Sequence, residues 1–249
     1  MNLVEAKQLA FSYPPPFRGG NNKPVFHDLT FSMEPGEKIG LIGCNGVGKS
    51  TLLKLLVGLL PVSGDRLRVC ELSLEPKNYQ AIRMRVGYAF QDADSQLFLP
   101  TVGEDVGLGL QQSGLSAETI QKRVLDVLTQ LHLEMQKDTM VYRLSGGQKR
   151  LAAIAGLLVT KPQLLLLDEP SNALDPKNRR NLIQILRQLS CGEIIASHDL
   201  DFIMDTCERV ILLHDGGIRA DGPVMQILGD KELLEACDLE LPLRLQGIK

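Results

Sequence analysis

Three short segments of this chain carry residue types suited to phosphate chemistry. Gly43-Cys44-Asn45-Gly46-Val47-Gly48-Lys49-Ser50 fits the pattern GxxxxGK[ST]. In such a loop the glycines let the backbone wrap an anion, and the amides together with the next helix N-terminus supply positive potential. Lys49 then reaches the β and γ phosphates, and the Ser50 hydroxyl serves Mg²⁺. The second segment, Asp168-Glu169, directly follows four leucines at 164–167. Alone it reads equally well as two solvated acids; beside a phosphate loop, Asp168 helps hold Mg²⁺ and its waters, and Glu169 polarises an attacking water. The third, Leu144-Ser145-Gly146-Gly147-Gln148, offers a hydroxyl and closely approachable backbone ahead of a stretch rich in Leu, Ile and Ala. Ser-Gly-Gly by itself is a flexible turn. Its position ahead of Asp168-Glu169 makes it a candidate γ-phosphate cap.

These segments need a scaffold, and the hydropathy pattern supplies one. Leu29, Phe31 and Met33 alternate with Thr30 and Ser32 as in a half-buried strand, which Pro35-Gly36 ends. Residues 39–42 read as a compact strand running into the glycine loop, and 51–58 as a leucine-rich helix leaving it. The first hundred residues thus read as short strands. From about 92 to 158 the pattern turns helical, with Ile120, Val124, Val127, Leu128 and Leu131 on one face and Ser116 as N-cap. Beyond Pro162, residues 164–167 form a buried strand that delivers Asp168 to the carboxyl edge of a sheet, where α/β proteins bind ligands. Asp175-Pro176 caps and starts a helix carrying Leu182, Ile185, Leu186 and Leu189. Residues 194–197 and 210–213 are further strands, with a turn at Asp215-Gly216. The alternation implies a mainly parallel sheet covered by helices, with an antiparallel portion near the N-terminus. A proline-rich stretch at 14–22 is the one notable loop.

The chain has 249 residues, 44% of them hydrophobic, enough for one substantial core without disulfides or structural metals. A net charge of -3 leaves no basic footprint for nucleic acid. Five scattered cysteines without a CxxC pair read as free thiols of a reducing compartment, and His27, His132 and His214 lack ligand spacing. No signal peptide is visible and no apolar run reaches the roughly 20 residues of a membrane helix. Work on a membrane requires other subunits.

With the three segments in this order, the chain resembles the nucleotide-binding cassette of ABC transporters over nearly its whole length. The resemblance implies an α/β fold with a P-loop NTPase (RecA-like) core, an N-terminal antiparallel β part and an inserted helical subdomain. It implies a single domain over 1–249, with 1–91 and 159–224 as catalytic core, 92–158 as the helical signature subdomain and 225–249 as a short tail. ATP and Mg²⁺ are the implied cofactors. Asn45, Gly46, Gly48, Lys49, Ser50 and Thr51 bind nucleotide, and Tyr13 matches the aromatic that stacks on adenine. Ser50, Gln91 and Asp168 serve the metal. Glu169, His198 and Gln91 take catalytic roles: general base, switch contacting the γ-phosphate, and sensor linking the site to a membrane partner. Ser145, Gly146, Gly147 and Gln148 bind the nucleotide of the opposite cassette. Ser171-Asn172-Ala173-Leu174-Asp175 matches the loop that crosses the dimer interface, with Asn172 a departure; the same residues also read as a turn with Asp175 as helix cap.

Two further stretches are similar to energy-coupling-factor cassettes, which drive uptake of cobalt, nickel or vitamins. They are Val86-Gly87-Tyr88-Ala89-Phe90-Gln91 with the residues to Val106, and Leu233-Leu234-Glu235-Ala236-Cys237-Asp238-Leu239-Glu240-Leu241-Pro242. Asp92-Ala93 and Ser95 depart from the usual Asn-Pro and Asp. A complete catalytic set in one chain favours a homodimer, hence the metal-uptake branch. The implied partners are a transmembrane coupling subunit and a substrate-specific membrane subunit, with the cassette peripheral on the cytoplasmic face. Two alternatives stay open: another importer or exporter cassette, including a vitamin system, and a soluble ABC-type ATPase acting on nucleic acid or the ribosome. The latter usually carries coiled coils, paired cassettes or basic insertions, and none is visible.

Overall fold

Apolar alternation at the N-terminus builds long strands, not the short ones expected. In the computed structural model, which describes residues 1–15, 22–62 and 65–247, strands β1 (Val4–Tyr13) and β2 (Lys23–Met33) pair antiparallel, Val4 opposite Met33 and Tyr13 opposite Lys23. Leu29, Phe31 and Met33 are buried and Thr30 and Ser32 exposed, as the period of two requires. Residues 16–21 of the expected loop lie outside the described residues. Next come β3 (Lys38–Ile42), helix α1 (Lys49–Leu56), β4 (Leu67–Val69), β5 (Leu72–Ser73), α2 (Tyr79–Arg83) and β6 (Val86–Ala89).

The helical region holds α3 (Val102–Gly107), α4 (Ala117–Gln130) and α5 (Gly146–Leu158). Each begins at a side-chain cap, Thr101, Ser116 and Ser145 respectively, which satisfies amides that have no intrahelical partner. The chain then alternates: β7 (Leu164–Asp168), α6 (Pro176–Gln188), β8 (Gly192–Ala196), α7 (Leu200–Thr206) and β9 (Arg209–His214). A hairpin through Asp215 and Gly216, both at positive φ, leads to β10 (Gly217–Pro223), followed by α8 (Val224–Leu228) and α9 (Lys231–Glu235).

Two sheets result. One has the order β2-β1-β4-β5, with antiparallel pairing throughout; the other has the order β10-β9-β3-β8-β7-β6, parallel from β9 to β6, with β10 antiparallel at its edge. Every residue of β3, β6, β7 and β8 is buried. The reason is visible in β7. Leu164 and Leu166 join the cluster under the antiparallel sheet and α1, while Leu165 and Leu167 join the opposite cluster with α5, α6 and α7. A strand buried on both faces needs an unbroken apolar run, each leucine contributing about 1.5–3 kcal/mol over its exposed state.

Candidate active site

Because five neighbouring strands run parallel, the loops after β3, β6, β7, β8 and β9 emerge at one carboxyl edge. The glycine loop follows β3, which lies between β9 and β8. Gly43 has φ +145°, and a Cβ there would stand 2.5 Å from the Leu213 carbonyl oxygen of β9. Gly48, the N-cap of α1, has φ +115°, with the Phe26 ring 2.7 Å from an added Cβ. Both positions therefore demand glycine for conformation and for space. Gly46, at φ +80°, faces open room, which leaves the loop amides approachable.

Lys49 is 8% exposed and its Nζ donates to the carbonyls of Gly43 at 2.7 Å and Cys44 at 3.2 Å. Burial pulls its pKa down, against Glu169, Cys44 and Asp168, which favour the charge. Asp168, at the end of β7, is 2% exposed. Burial lifts its carboxyl above the ordinary value; the Ser50 hydroxyl, Lys54 and Lys49 oppose this and Glu169 adds to it. The Tyr88 hydroxyl donates weakly to its Oδ2 at 3.5 Å, and burial, then Asp168, holds that phenol protonated.

Glu169 adopts a left-handed backbone, φ +50°, and its N–H donates to the Ala196 carbonyl at 2.8 Å. Its side chain thereby turns toward the end of β8. Oε2 accepts from the Ser197 hydroxyl at 3.0 Å, Oε1 from the His198 amide at 3.1 Å, and His198 Nδ1 stands 2.8 Å from Oε2. Glu169 is buried and the His198 side chain is largely exposed, so the pair offers a fixed carboxylate with one solvent-facing partner. A left-handed non-glycine residue costs on the order of 1–3 kcal/mol, and such strain clusters at functional sites.

Tyr13 reaches the same edge from β1. Its hydroxyl lies 3.1 Å from Thr51 Oγ1, its ring packs edge-on against Phe11, and it lines a cavity of about 320 Å³ together with Lys23, Val25, Asn45 and Asp215. Gln91, one residue beyond Phe90, has an exposed side chain. Its backbone is held from α5: the Arg150 guanidinium, 5% exposed, donates to the Phe90 carbonyl at 2.6 Å and to the Gln91 carbonyl. Gln96 adds a second tie, accepting from the Phe90 amide and donating to Ala153 of α5.

Ser145 and Gln148 form a reciprocal capping box at the start of α5. Ser145 Oγ accepts from the Gln148 amide at 3.3 Å and Gln148 Oε1 accepts from the Ser145 amide at 2.9 Å. Gly146 and Gly147 are thus the first helical turn and not a free loop. A Cβ on Gly147 would meet the Ala173 carbonyl at 3.1 Å, so the 171–175 turn packs on the cap. Asp175 also caps α6, accepting from the amides of Lys177 and Asn178. The turn is therefore a helix cap and a neighbour of the signature segment at once.

Sequence reasoning missed Ser197, Arg150 and Tyr88. Arg150 left a trace, a charged residue flanking the buried run 151–155; Ser197 and Tyr88 left none. For a cation, the donors at this edge are hard oxygens, the Ser50 hydroxyl and the Asp168 carboxylate. Among the described residues no group of three or more His, Cys, Asp or Glu is placed to hold a metal by itself. That donor set fits Mg²⁺, which takes one or two protein oxygens and completes its shell with phosphates and water.

A family model described as "ABC transporter" matches residues 26–172. The putative ABC transporter ATP-binding protein GSU1281 of Geobacter sulfurreducens is 42% identical over 99% of this chain and 96% of its own. Among solved structures, cbiO1 from Clostridium perfringens, described as part of the ABC transporter complex cbiONQ, superposes with a TM-score of 0.80 at 31% identity, covering 94% of both chains. A dimeric post-hydrolysis state of the cassette MJ0796, bound to ADP and Pi, gives a TM-score of 0.80 at 26% identity, covering 89% of this chain and 98% of that one.

Proposed function

This chain belongs to the ABC transporter family of ATP-binding cassettes, which hydrolyse ATP, and from that premise we propose that it is the energy-coupling subunit of an energy-coupling-factor importer. It works as a homodimer on a transmembrane coupling subunit and a substrate-specific membrane subunit, from the cytoplasmic face, and the cargo is cobalt or nickel. Among the described residues no helix is long and apolar enough to cross a membrane, so the translocation path belongs to the partners.

Each nucleotide lies between two copies. In one copy Tyr13 stacks on adenine, the amides of Asn45, Gly46 and Gly48 and the start of α1 at Ser50 and Thr51 receive the phosphates, and Lys49 neutralises the β and γ oxygens. Mg²⁺, held by Ser50 and Asp168 and sensed by Gln91, supplies further charge neutralisation when bound. Glu169 accepts the proton of the attacking water, and His198 contacts the γ-phosphate. The second copy presents Ser145, Gly146, Gly147 and Gln148 to the same γ-phosphate. Charge then develops in a water-poor interface, where fixed dipoles are most effective. Arg150 ties Gln91 to α5, so closing on the second copy moves Gln91 with the signature helix.

The observation that carries this reading is the Glu169 carboxylate, buried and held by Ser197 and His198 beside Asp168 and Lys49. Glu169→Gln keeps nucleotide binding, slows turnover strongly and accumulates the closed dimer. Unchanged turnover removes Glu169 from the role. The cargo is tested with the cassette purified from membranes with its partners: uptake of Co²⁺ or Ni²⁺ driven by ATP supports the assignment, and vitamin uptake without either metal overturns it.

A further inference from the structure

The tail beyond α9 returns to the catalytic edge. Residues 239–244 and Gln246 line a cavity of about 850 Å³ with Asn172, His198, Asp199 and Arg179. Its anchor is Arg244. The guanidinium donates from Nε to Asp201 Oδ1 at 2.8 Å, and from Nη1 and Nη2 to the two oxygens of Asp205 at 3.0 and 2.8 Å. The amides of Leu243 and Arg244 add donors to Asp201 at 2.9 and 3.3 Å. Asp201 and Asp205 sit one turn apart on the same face of α7.

An isolated surface ion pair contributes little, but here one fork engages two carboxylates that are each about four-fifths buried, with backbone donors alongside. Asp205 also meets α6. Arg179 Nη1 stands 3.9 Å and Arg187 Nη2 3.7 Å from Asp205, and Arg179 also makes a bidentate pair with Asp199, donating from Nε to Oδ2 at 3.1 Å and from Nη2 to Oδ1 at 3.2 Å. Asp199 is the N-cap of α7 and the residue after His198. A seven-residue helix has little stability of its own and depends on such ties. What holds α7 holds His198 over Glu169.

We propose that Arg244 is a positioning residue: through Asp201 and Asp205 it straps the C-terminal tail across α7 and fixes the switch loop at 198–199 against Glu169. The inference rests on the roles proposed above for His198 and Glu169. Binding of the triphosphate by the glycine loop does not pass through this strap, so the loss falls on kcat and not on KM.

The test uses the full chain. Arg244→Ala lowers kcat about tenfold, a displacement of under 1 Å being enough, and leaves KM for ATP within about twofold. Hydrogen exchange of the amides at 198–206 accelerates, while that of 43–50 does not change. Asp201→Ala combined with Arg244→Ala is no worse than either alone, and Arg244→Lys recovers part of the loss. A chain ending at Leu241 reproduces the effect should the point variant fold poorly. Unchanged exchange at 198–206 in both altered chains overturns the strap, as does a loss carried by KM. The exchange readout needs no turnover, so a failure of Glu169→Gln to slow hydrolysis would count against the functional reading alone.

Discussion

Glu193 gives the sharpest quantitative prediction. It lies in β8 opposite Lys38 of β3, fully buried, while Lys38 is 8% exposed. The ammonium stands 3.4 Å from Oε1 but directs its hydrogen bond to the Leu186 carbonyl, and neither carboxylate oxygen has a hydrogen-bond partner. Burial outweighs the pull of Lys38, raising the carboxyl from 4.5 to about 8. In the unfolded chain the group ionises near its ordinary value. Between pH 4.5 and about 8 the folded state therefore binds more protons than the unfolded state, and stability falls as pH rises through that window. At about 1.4 kcal/mol per unit, the full span amounts to roughly 4–5 kcal/mol, levelling off above the folded pKa. Glu193→Gln preserves the shape and removes the proton equilibrium. The variant should gain on the wild type by several kcal/mol from the acidic to the alkaline end of the window. Urea unfolding at stepped pH measures this, kept below the ordinary thiol value of 9.0, because half-buried Cys191 and buried Cys207, pushed up by desolvation to about 11 and about 12, add a slope of the same sign above it. Parallel pH profiles for the two proteins would refute the linkage.

Gly48→Ala combines a forbidden φ with a clash against Phe26, so it should cost about 1–3 kcal/mol and weaken nucleotide binding. Gly114→Ala, at φ +72° in open space, should cost less; equal losses in thermal unfolding would remove the clash from the account. Tyr13→Ala should raise KM for ATP about tenfold through lost stacking, whereas Tyr13→Phe, which forfeits only the contact with Thr51, should not. An equal rise for inorganic triphosphate would exclude adenine stacking. Mixing Lys49→Ala chains with Ser145→Arg chains should restore hydrolysis, because one site of the mixed dimer joins an intact glycine loop to an intact cap. No recovery would place the cap in the same chain's site.

What could be read before the structure, and what could not, divides along a physical line. Strands β3, β7, β8 and β9 are buried on both faces, so their composition alone marks them, and the loop that follows each inherits a known edge. Caps were legible for the same reason: Ser116 and Asp175 act on amides three residues away or fewer. Strand β10 was not legible, because it is exposed on alternate residues and contains Gly217, Gly222 and Pro223, which argue for a turn; pairing with β9 decides it. The site residues that sequence missed act across long separations. Ser197 meets Glu169 from 28 positions away, and Arg150 meets Gln91 from 59. No local period encodes such contacts; only the parallel order of β7 beside β8, and the return of α5 beneath β6, brings them together. Arg244 is the extreme case. Its partners precede it by 43 and 39 residues, and nothing in the tail's composition distinguishes an anchored strap from an exposed end. Motif residues declare their chemistry in sequence, whereas the groups that aim them are set by which strands become neighbours. Perturbing Ser197, Arg150 or Arg244 therefore tests the fold's contribution to the site separately from that of Lys49, Asp168 and Glu169.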